Sequence, residues 1–294
     1  MSKNKATLIG FTAVLLWSLL AMFTVLSAPV PPLQLNAVSF AIGALVGFIW
    51  LVATGTVHHL RRVPIKVYLF GTLGLFGYHF LYFSALRAAP PAETGLIAYL
   101  WPLLIVLFSG LLPGEHLRFG HVLGAFIGFS GAVVLLSPNG GGLSWDVWPG
   151  YAMALMCAVT WAGYSVLSRR LGRVPTASVV VFCIATAALS ALAHLALEQT
   201  IWPQTTTGWW AIIGLGIGPV GLAFYTWDIG VKRGDIQLLG TASYAAPVLS
   251  TIILVGVGIA QPTVKLFVAS ALIAGGAALA ARSGKTSNTD LAKG

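Results

Sequence analysis

Ten long apolar runs alternate with short polar or helix-breaking stretches, near residues 6–27, 33–54, 66–87, 92–112, 120–137, 150–170, 176–197, 208–231, 237–258 and 263–281. Each approaches the roughly 20 residues that a helix needs to cross a bilayer. The breaks are Ala28-Pro29-Val30-Pro31-Pro32, Pro90-Pro91, Pro113-Gly114, a loop from Ser137 to Pro149 with three consecutive glycines, and Gly234-Asp235. These are the residues that end helices or turn the chain. The pattern predicts an all-α polytopic membrane protein with ten transmembrane helices.

Charge then sets the orientation. With an N-terminus in the cytoplasm, Lys3, Lys5, Arg61, Arg62, Lys66, Arg118, Arg169, Arg170, Arg173, Lys232, Arg233, Arg282, Lys285 and Lys293 fall at inside ends, and Arg87 and Lys265 outside. Such a bias places both termini in the cytoplasm. Trp145, Trp148, Tyr151, Trp202, Trp209 and Trp210 gather at the opposite water boundary, as an aromatic belt of interfacial anchors does. The net charge of +9 would suggest nucleic acid in a soluble protein, but these cations sit in short loops between apolar runs, so no nucleic-acid partner is expected. At 57% hydrophobic and 8% charged residues, the composition has no room for an ordinary soluble domain. The apolar N-terminal stretch runs on to about Ser27 without a small-residue cleavage site, as a retained first helix does. Cys157 and Cys183 lie inside apolar runs as small buried residues without a disulfide.

The runs fall into two matching sets of five. A shift of 145 residues superposes Arg87 on Lys232, Tyr99 on Tyr244, Pro102 on Pro247 and Gly131 on Gly276, while Trp17 meets Trp161 at a shift of 144. A repeat with an odd number of spans enters the membrane from opposite sides in its two copies, so two inverted five-helix repeats are expected. Their bounds are 1–137 and 150–282, with a periplasmic linker over 138–149 and a disordered cytoplasmic tail over 283–294.

Pro102 and Pro247 lie near the middle of spans four and nine. Each removes a backbone hydrogen bond and crowds the carbonyl four residues earlier, at Ala98 and Ser243. Proline also bends membrane helices merely to fit a bundle. The pair at matched depth favours hinges or gates, and Pro219 adds a break in span eight. Glycines crowd span three (Gly71, Gly74, Gly77), span five (Gly120, Gly124, Gly128) and span eight (Gly214, Gly216, Gly218, Gly221), which favours close packing within a monomer. Homodimerisation through spans five and ten is the alternative.

Few ionisable residues lie within the spans. His79, with Tyr78 and Tyr82, is placed to line one wall of a cavity, the alternative being a neutral histidine bonded to a neighbouring carbonyl. Trp17, Trp101, Trp161, Tyr99 and Tyr244 fall at mid-depth and complete a candidate binding site, although any one ring serves packing equally well. Asp228 is expected to bridge to Lys232, Glu93 to sit beside Arg87 at a helix N-terminus, and His194 with Glu198 to be structural. Neither a metal site nor a cofactor motif is apparent. Without a mid-membrane carboxylate or a basic cluster, a zwitterion or neutral solute suits the cavity, its ammonium held on ring faces by about 0.5–2 kcal/mol per contact. An intramembrane enzyme would need a nucleophile and base, or paired carboxylates, at one depth, and no such motif occurs.

Trp17-Ser18 and Trp161-Ala162 in the first helix of each half, the short turns before spans four and nine with Pro102 and Pro247, and Gly114-Glu115 before glycine-rich span five resemble the drug/metabolite transporter superfamily. The likeness is to its ten-helix EamA-type members and covers residues 6–282; the acidic turn is absent at Ala260-Gln261. The set Trp17, Tyr78-His79, Tyr82 and Tyr99-Leu100-Trp101-Pro102 is similar to that of YddG-type aromatic amino-acid exporters. The resemblance implies efflux of neutral or aromatic amino acids across the bacterial inner membrane. Efflux of drugs or organic cations is the alternative for such an aromatic lining.

Overall fold

The computed structural model describes residues 1–137, 145–171 and 174–290; most of the expected linker and the end of the tail, residues 291–294, lie outside the described residues. The described chain is helical throughout, with no strand. Its helices are α1 (Lys3–Trp17), α2 (Leu20–Leu26), α3 (Pro32–Ala53), α4 (Ile65–Ala88), α5 (Pro91–Ala98), α6 (Trp101–Ser109), α7 (Phe119–Leu136), α8 (Trp148–Arg170), α9 (Ser178–Leu197), α10 (Thr206–Ile217), α11 (Ala223–Arg233), α12 (Ile236–Ala242), α13 (Ala245–Gly256) and α14 (Val264–Asp290). Helical backbone thus continues past Ser283, where a disordered tail was expected to begin.

Among the described residues nine helical segments are long and apolar enough to cross a membrane. The expected fourth span is shorter, Glu93–Ser109. At 1.5 Å per residue it extends about 25 Å, against roughly 30 Å of hydrocarbon.

Four expected spans are interrupted. The fourth breaks at Tyr99-Leu100 and the ninth at Ser243-Tyr244, a few residues before Pro102 and Pro247, where proline cannot supply the N–H that would continue the ladder. The backbone stays right-handed through both, so each is a kinked turn rather than a loop. Pro219 sits in a π-helical turn over Gly218–Leu222, which joins α10 to α11. The first span breaks at Ser18-Leu19 with no proline to announce it. There the Ser18 hydroxyl donates to the Leu15 carbonyl at 2.6 Å, competing with the helix ladder.

Close helix crossings account for the glycines. Gly10 and Gly230 bring α1 against α11, and Gly43 and Gly221 bring α3 against the π-turn. Gly124 faces Gly276 between α7 and α14, where a Cβ on either would stand 2.4–2.5 Å from the other's carbonyl oxygen. The glycines considered for a dimer are therefore occupied inside one chain. α3 also packs on α9 and α4 on α8. Exposed Trp148, Trp202, Trp209 and Trp210 occur as the expected belt would require, Trp202 stacked on Trp209 with centroids 5.3 Å apart; the Trp145 side chain is outside the described set.

The two ends of the bundle are tied by charge. At the lysine- and arginine-rich end, Asp228 pairs with Lys232 at 2.8 Å and accepts from Thr176 at 2.8 Å, as expected of a structural bridge. Arg169 pairs with Glu115 and donates to the Val231 and Gly234 carbonyls at 3.0 and 2.8 Å. At the opposite end Arg87 pairs with Glu198 rather than with Glu93. Glu198 is the better partner because it lies at the N-terminus of α3, accepting from Leu33 and Gln34 N–H at 3.1 Å, and also holds His194 at 2.9 Å. Cys157 and Cys183 are buried free thiols.

Candidate functional site

Between the two ends, side chains from six of the expected spans form one aromatic assembly. Trp17, the last residue of α1, lies 6.0 Å from Trp101, 5.8 Å from Trp161 and 5.1 Å from Trp227 between ring centroids. Trp101 at the start of α6 is in turn 6.4 Å from Trp161 and 5.9 Å from Trp227, both edge-on. Edge-to-face and tilted contacts at such distances are attractive beyond their area. Trp101 and Trp161 are buried, at 6% and 3% exposure, whereas Trp17 keeps partial exposure.

The wall on α4 follows from helical spacing. Tyr78 and Tyr82, one turn apart, lie parallel with centroids 6.1 Å apart, and Tyr78 is 5.4 Å from Trp161. His79 points to the adjoining face, edge-on to Phe40 at 5.0 Å and to Phe224 at 6.0 Å. Its Nδ1 lies 2.7 Å from the Leu75 carbonyl of its own helix, not of a neighbouring one. A carbonyl only accepts, so Nδ1 carries a proton, and in the neutral ring Nε2 is then an acceptor. Tyr99, at the kink between α5 and α6, comes within electrostatic reach of Tyr78 and Tyr82. Tyr78, Tyr82 and Tyr99 are half-buried, so this wall keeps some accessible surface.

Seven of the eight residues expected to bind a ligand are thus brought together. Tyr244 is not: it is fully buried in a second cluster with Leu103, Val106, Ala125 and Ile273, and its hydroxyl accepts from the Leu103 N–H at 3.1 Å. Sequence reasoning also passed over Trp227, Phe224 and Phe40. Trp227 sits beside Asp228 near the charged end of its span, and its three-residue spacing from Phe224 puts both rings on one inward face. The Trp227 indole donates to Ser165 at 3.1 Å and the Trp17 indole to the Pro219 carbonyl at 3.1 Å, so both indole N–H groups are satisfied within the protein.

Chemically the assembly offers ring faces, hydroxyls and one imidazole acceptor. Among the described residues no group of three His, Cys, Asp or Glu side chains is placed to hold a metal ion. Such a lining suits a ligand with an aromatic or apolar body and an ammonium group.

The EamA-like transporter family profile matches residues 4–137 and again 148–282. The chain is 58% identical over 282 residues to the aromatic amino acid exporter YddG of Ancylobacter novellus, covering 95% of this chain and 98% of that one. It is 26% identical over 264 residues to the aromatic amino acid exporter YddG of Escherichia coli, covering 85% and 88%. It is 28% identical over 193 residues to the pseudopaline exporter CntI of Pseudomonas aeruginosa, covering 65% and 66%. A crystal structure of a protein 58% identical superposes with a TM-score of 0.92, covering 95% of this chain and 97% of that one. With two matched blocks that together span nearly all of its helices, the chain belongs to the EamA-like transporter family.

Proposed function

We propose that this protein exports aromatic and other neutral amino acids across the bacterial inner membrane, by alternating access through the ring-lined site. The carrying observation is the convergence of Trp17, Tyr78, His79, Tyr82, Tyr99, Trp101 and Trp161 at mid-bundle, in a chain 58% identical to an exporter of aromatic amino acids. Ring faces hold the ammonium and the aromatic side chain of the substrate. Its carboxylate is met by the Tyr78, Tyr82 and Tyr99 hydroxyls, and His79 Nε2 accepts from the ammonium.

Ten spans in two inverted repeats, with both termini in the cytoplasm, provide the machinery. Three observations support the repeat: the family matches the chain in two successive blocks, helix breaks recur before Pro102 and Pro247, and the packing is exchangeable. Swapping the first five spans for the last five leaves the pairs α3–α9 and α7–α14 unchanged and converts α4–α8 into α1–α11. Pro102, Pro219 and Pro247 mark the flexible points about which the halves rock. Facilitative transport fits this reading, since among the described residues no carboxylate lies at mid-membrane to carry a proton, and His79 is the alternative carrier.

The test is uptake of radiolabelled phenylalanine, threonine and a quaternary cation into liposomes holding the purified protein, with and without a pH gradient. Amino-acid flux without a gradient is expected. Cation flux that appears only against a proton gradient would replace this reading with drug antiport.

A further inference from the structure

The breaks in spans four and nine each strip a backbone N–H of its helical partner, and one of them is repaired from across the bundle. Leu103 is the third residue of α6, and its N–H would ordinarily reach back to the Tyr99 carbonyl. It donates instead to the Tyr244 hydroxyl at 3.1 Å, with Leu103 at 5% and Tyr244 at 0% exposure. Tyr244 itself stands at the break of span nine, immediately before α13. One hinge is therefore completed by a side chain of the other.

The 145-residue offset that relates the two halves carries Tyr99 onto Tyr244 and Leu103 onto Val248. The reciprocal contact, Tyr99 hydroxyl to Val248 N–H, is not made. Tyr99 is half-buried beside Tyr82, and its hydroxyl has no hydrogen bond among the described residues. A second equivalent pair is split in the same sense. Gly240 of α12 is pressed against α6, where a Cβ would meet Val106, Ile105 and the Pro102 carbonyl at 3.0–3.1 Å. Its counterpart Gly95 of α5 has nothing within 4 Å. Of two symmetric contacts, the one between α6 and α12 is closed and the one between α5 and α13 is open.

In an inverted repeat, exchanging the conformations of the two halves turns a state facing one side into the state facing the other. We propose that Tyr244 and Tyr99 are reciprocal positioning residues for this exchange. Tyr244 on Leu103, with α6 seated on Gly240, holds the state closed at the lysine- and arginine-rich face. Tyr99 on Val248, with α13 seated on Gly95, holds the opposite state. Tyr99 also borders the ring-lined site, so a substrate bound to its hydroxyl competes with the hinge for it. The proposal rests on the alternating-access reading above.

Hydrogen–deuterium exchange read by mass spectrometry, on the full chain in lipid nanodiscs without substrate, tests it. Tyr244→Phe keeps the ring and removes the acceptor. Exchange should rise in segments 110–118 and 234–243 and fall in 89–98, with the ratio of the two states moving about five-fold, as loss of one typical hydrogen bond predicts. Tyr99→Phe should move every one of these segments the opposite way, and the double variant should return towards wild type. A merely structural tyrosine would loosen both faces together. Shifts of the same sign in both variants, or no shift, overturn the proposal. If Tyr244→Phe does not fold, Tyr99→Phe alone decides by the direction of its shift. Phenylalanine flux of the wild type, measured in parallel, separates the two ideas: flux with unmoved exchange overturns the tyrosine exchange alone, and absent flux overturns the export reading.

Discussion

The indole N–H of Trp17 donates to the carbonyl of Pro219 at 3.1 Å, joining the broken first span to the π-turn of the eighth. Pro219 is buried within that π-turn. The bond therefore does two things at once: it fixes the ring that touches Trp101, Trp161 and Trp227, and it satisfies a backbone acceptor. Trp17→Phe keeps an aromatic ring and removes this hydrogen bond. It should lower stability by about 0.5–1.5 kcal/mol, the usual net worth of one hydrogen bond, and reduce phenylalanine flux. Thermal unfolding and liposome flux on the same preparation measure both, and unchanged flux would remove Trp17 from the site.

Glu198 should matter more than the arginine it pairs with. Its carboxylate, at 3% side-chain exposure, collects two amides of α3, Arg87 and His194, whereas the Arg87 side chain is 44% exposed and can return to water. Glu198→Gln should cost about 1–2 kcal/mol through the lost charge at the α3 N-terminus and the weakened bonds to it. Arg87→Ala should cost clearly less, since a half-exposed partner is screened by solvent. Thermal melts of the two variants give the order, and the reverse order would mean that Arg87 is the anchor.

Much of this architecture is legible in the sequence for physical reasons. Runs long enough to span a bilayer and matched prolines are local signals, and the helix breaks of spans four and nine lie within a few residues of Pro102 and Pro247. What escaped depends on three-dimensional partners. The break at Ser18-Leu19 uses a serine side chain that looks ordinary in any apolar run. Trp227 was hidden by its neighbour Asp228, and Arg87 lies close in sequence to Glu93 but pairs with Glu198. Tyr244 occupies the position equivalent to Tyr99 in the 145-residue offset, which made both look like site residues, but Tyr244 is fully buried in a second cluster while Tyr99 stays half-buried.

Acid should loosen the charged end of the bundle through Asp235, which lies between α11 and α12. Burial pushes its carboxyl pKa up, but the Leu238 N–H and the Lys3 ammonium, with His121 beyond, pull it below the ordinary 3.8. Lys3 is 3.0 Å away and the Leu238 bond is 3.0 Å. A carboxylate whose folded pKa is depressed stabilises the protein fully above its unfolded value and loses that contribution as pH falls through the folded one. The loss therefore falls below about pH 4. Asp235→Asn should reduce stability at neutral pH and flatten the pH dependence below that point, as melts at pH 3, 4 and 7 would reveal. A variant that kept the full acid sensitivity would assign it to another carboxylate.

Two glycines of similar appearance in the sequence should respond oppositely to alanine. At Gly124 a Cβ would lie 2.5 Å from the Gly276 carbonyl and 3.1 Å from the Ala280 nitrogen, both backbone atoms that move only if α7 and α14 separate. Gly124→Ala should cost about 1–3 kcal/mol, the range for overpacking a close contact. At Gly163, inside α8, a Cβ meets nothing within 4 Å, and helix propensity alone acts. Gly163→Ala should be neutral or stabilising by up to about 1 kcal/mol. The α7–α14 seam lies away from the ring-lined site, so flux per folded molecule should survive Gly124→Ala even as the melting temperature drops. Loss of flux in protein that is still folded would mean that the seam moves during transport, and that α7 and α14 belong to the working parts rather than to the frame.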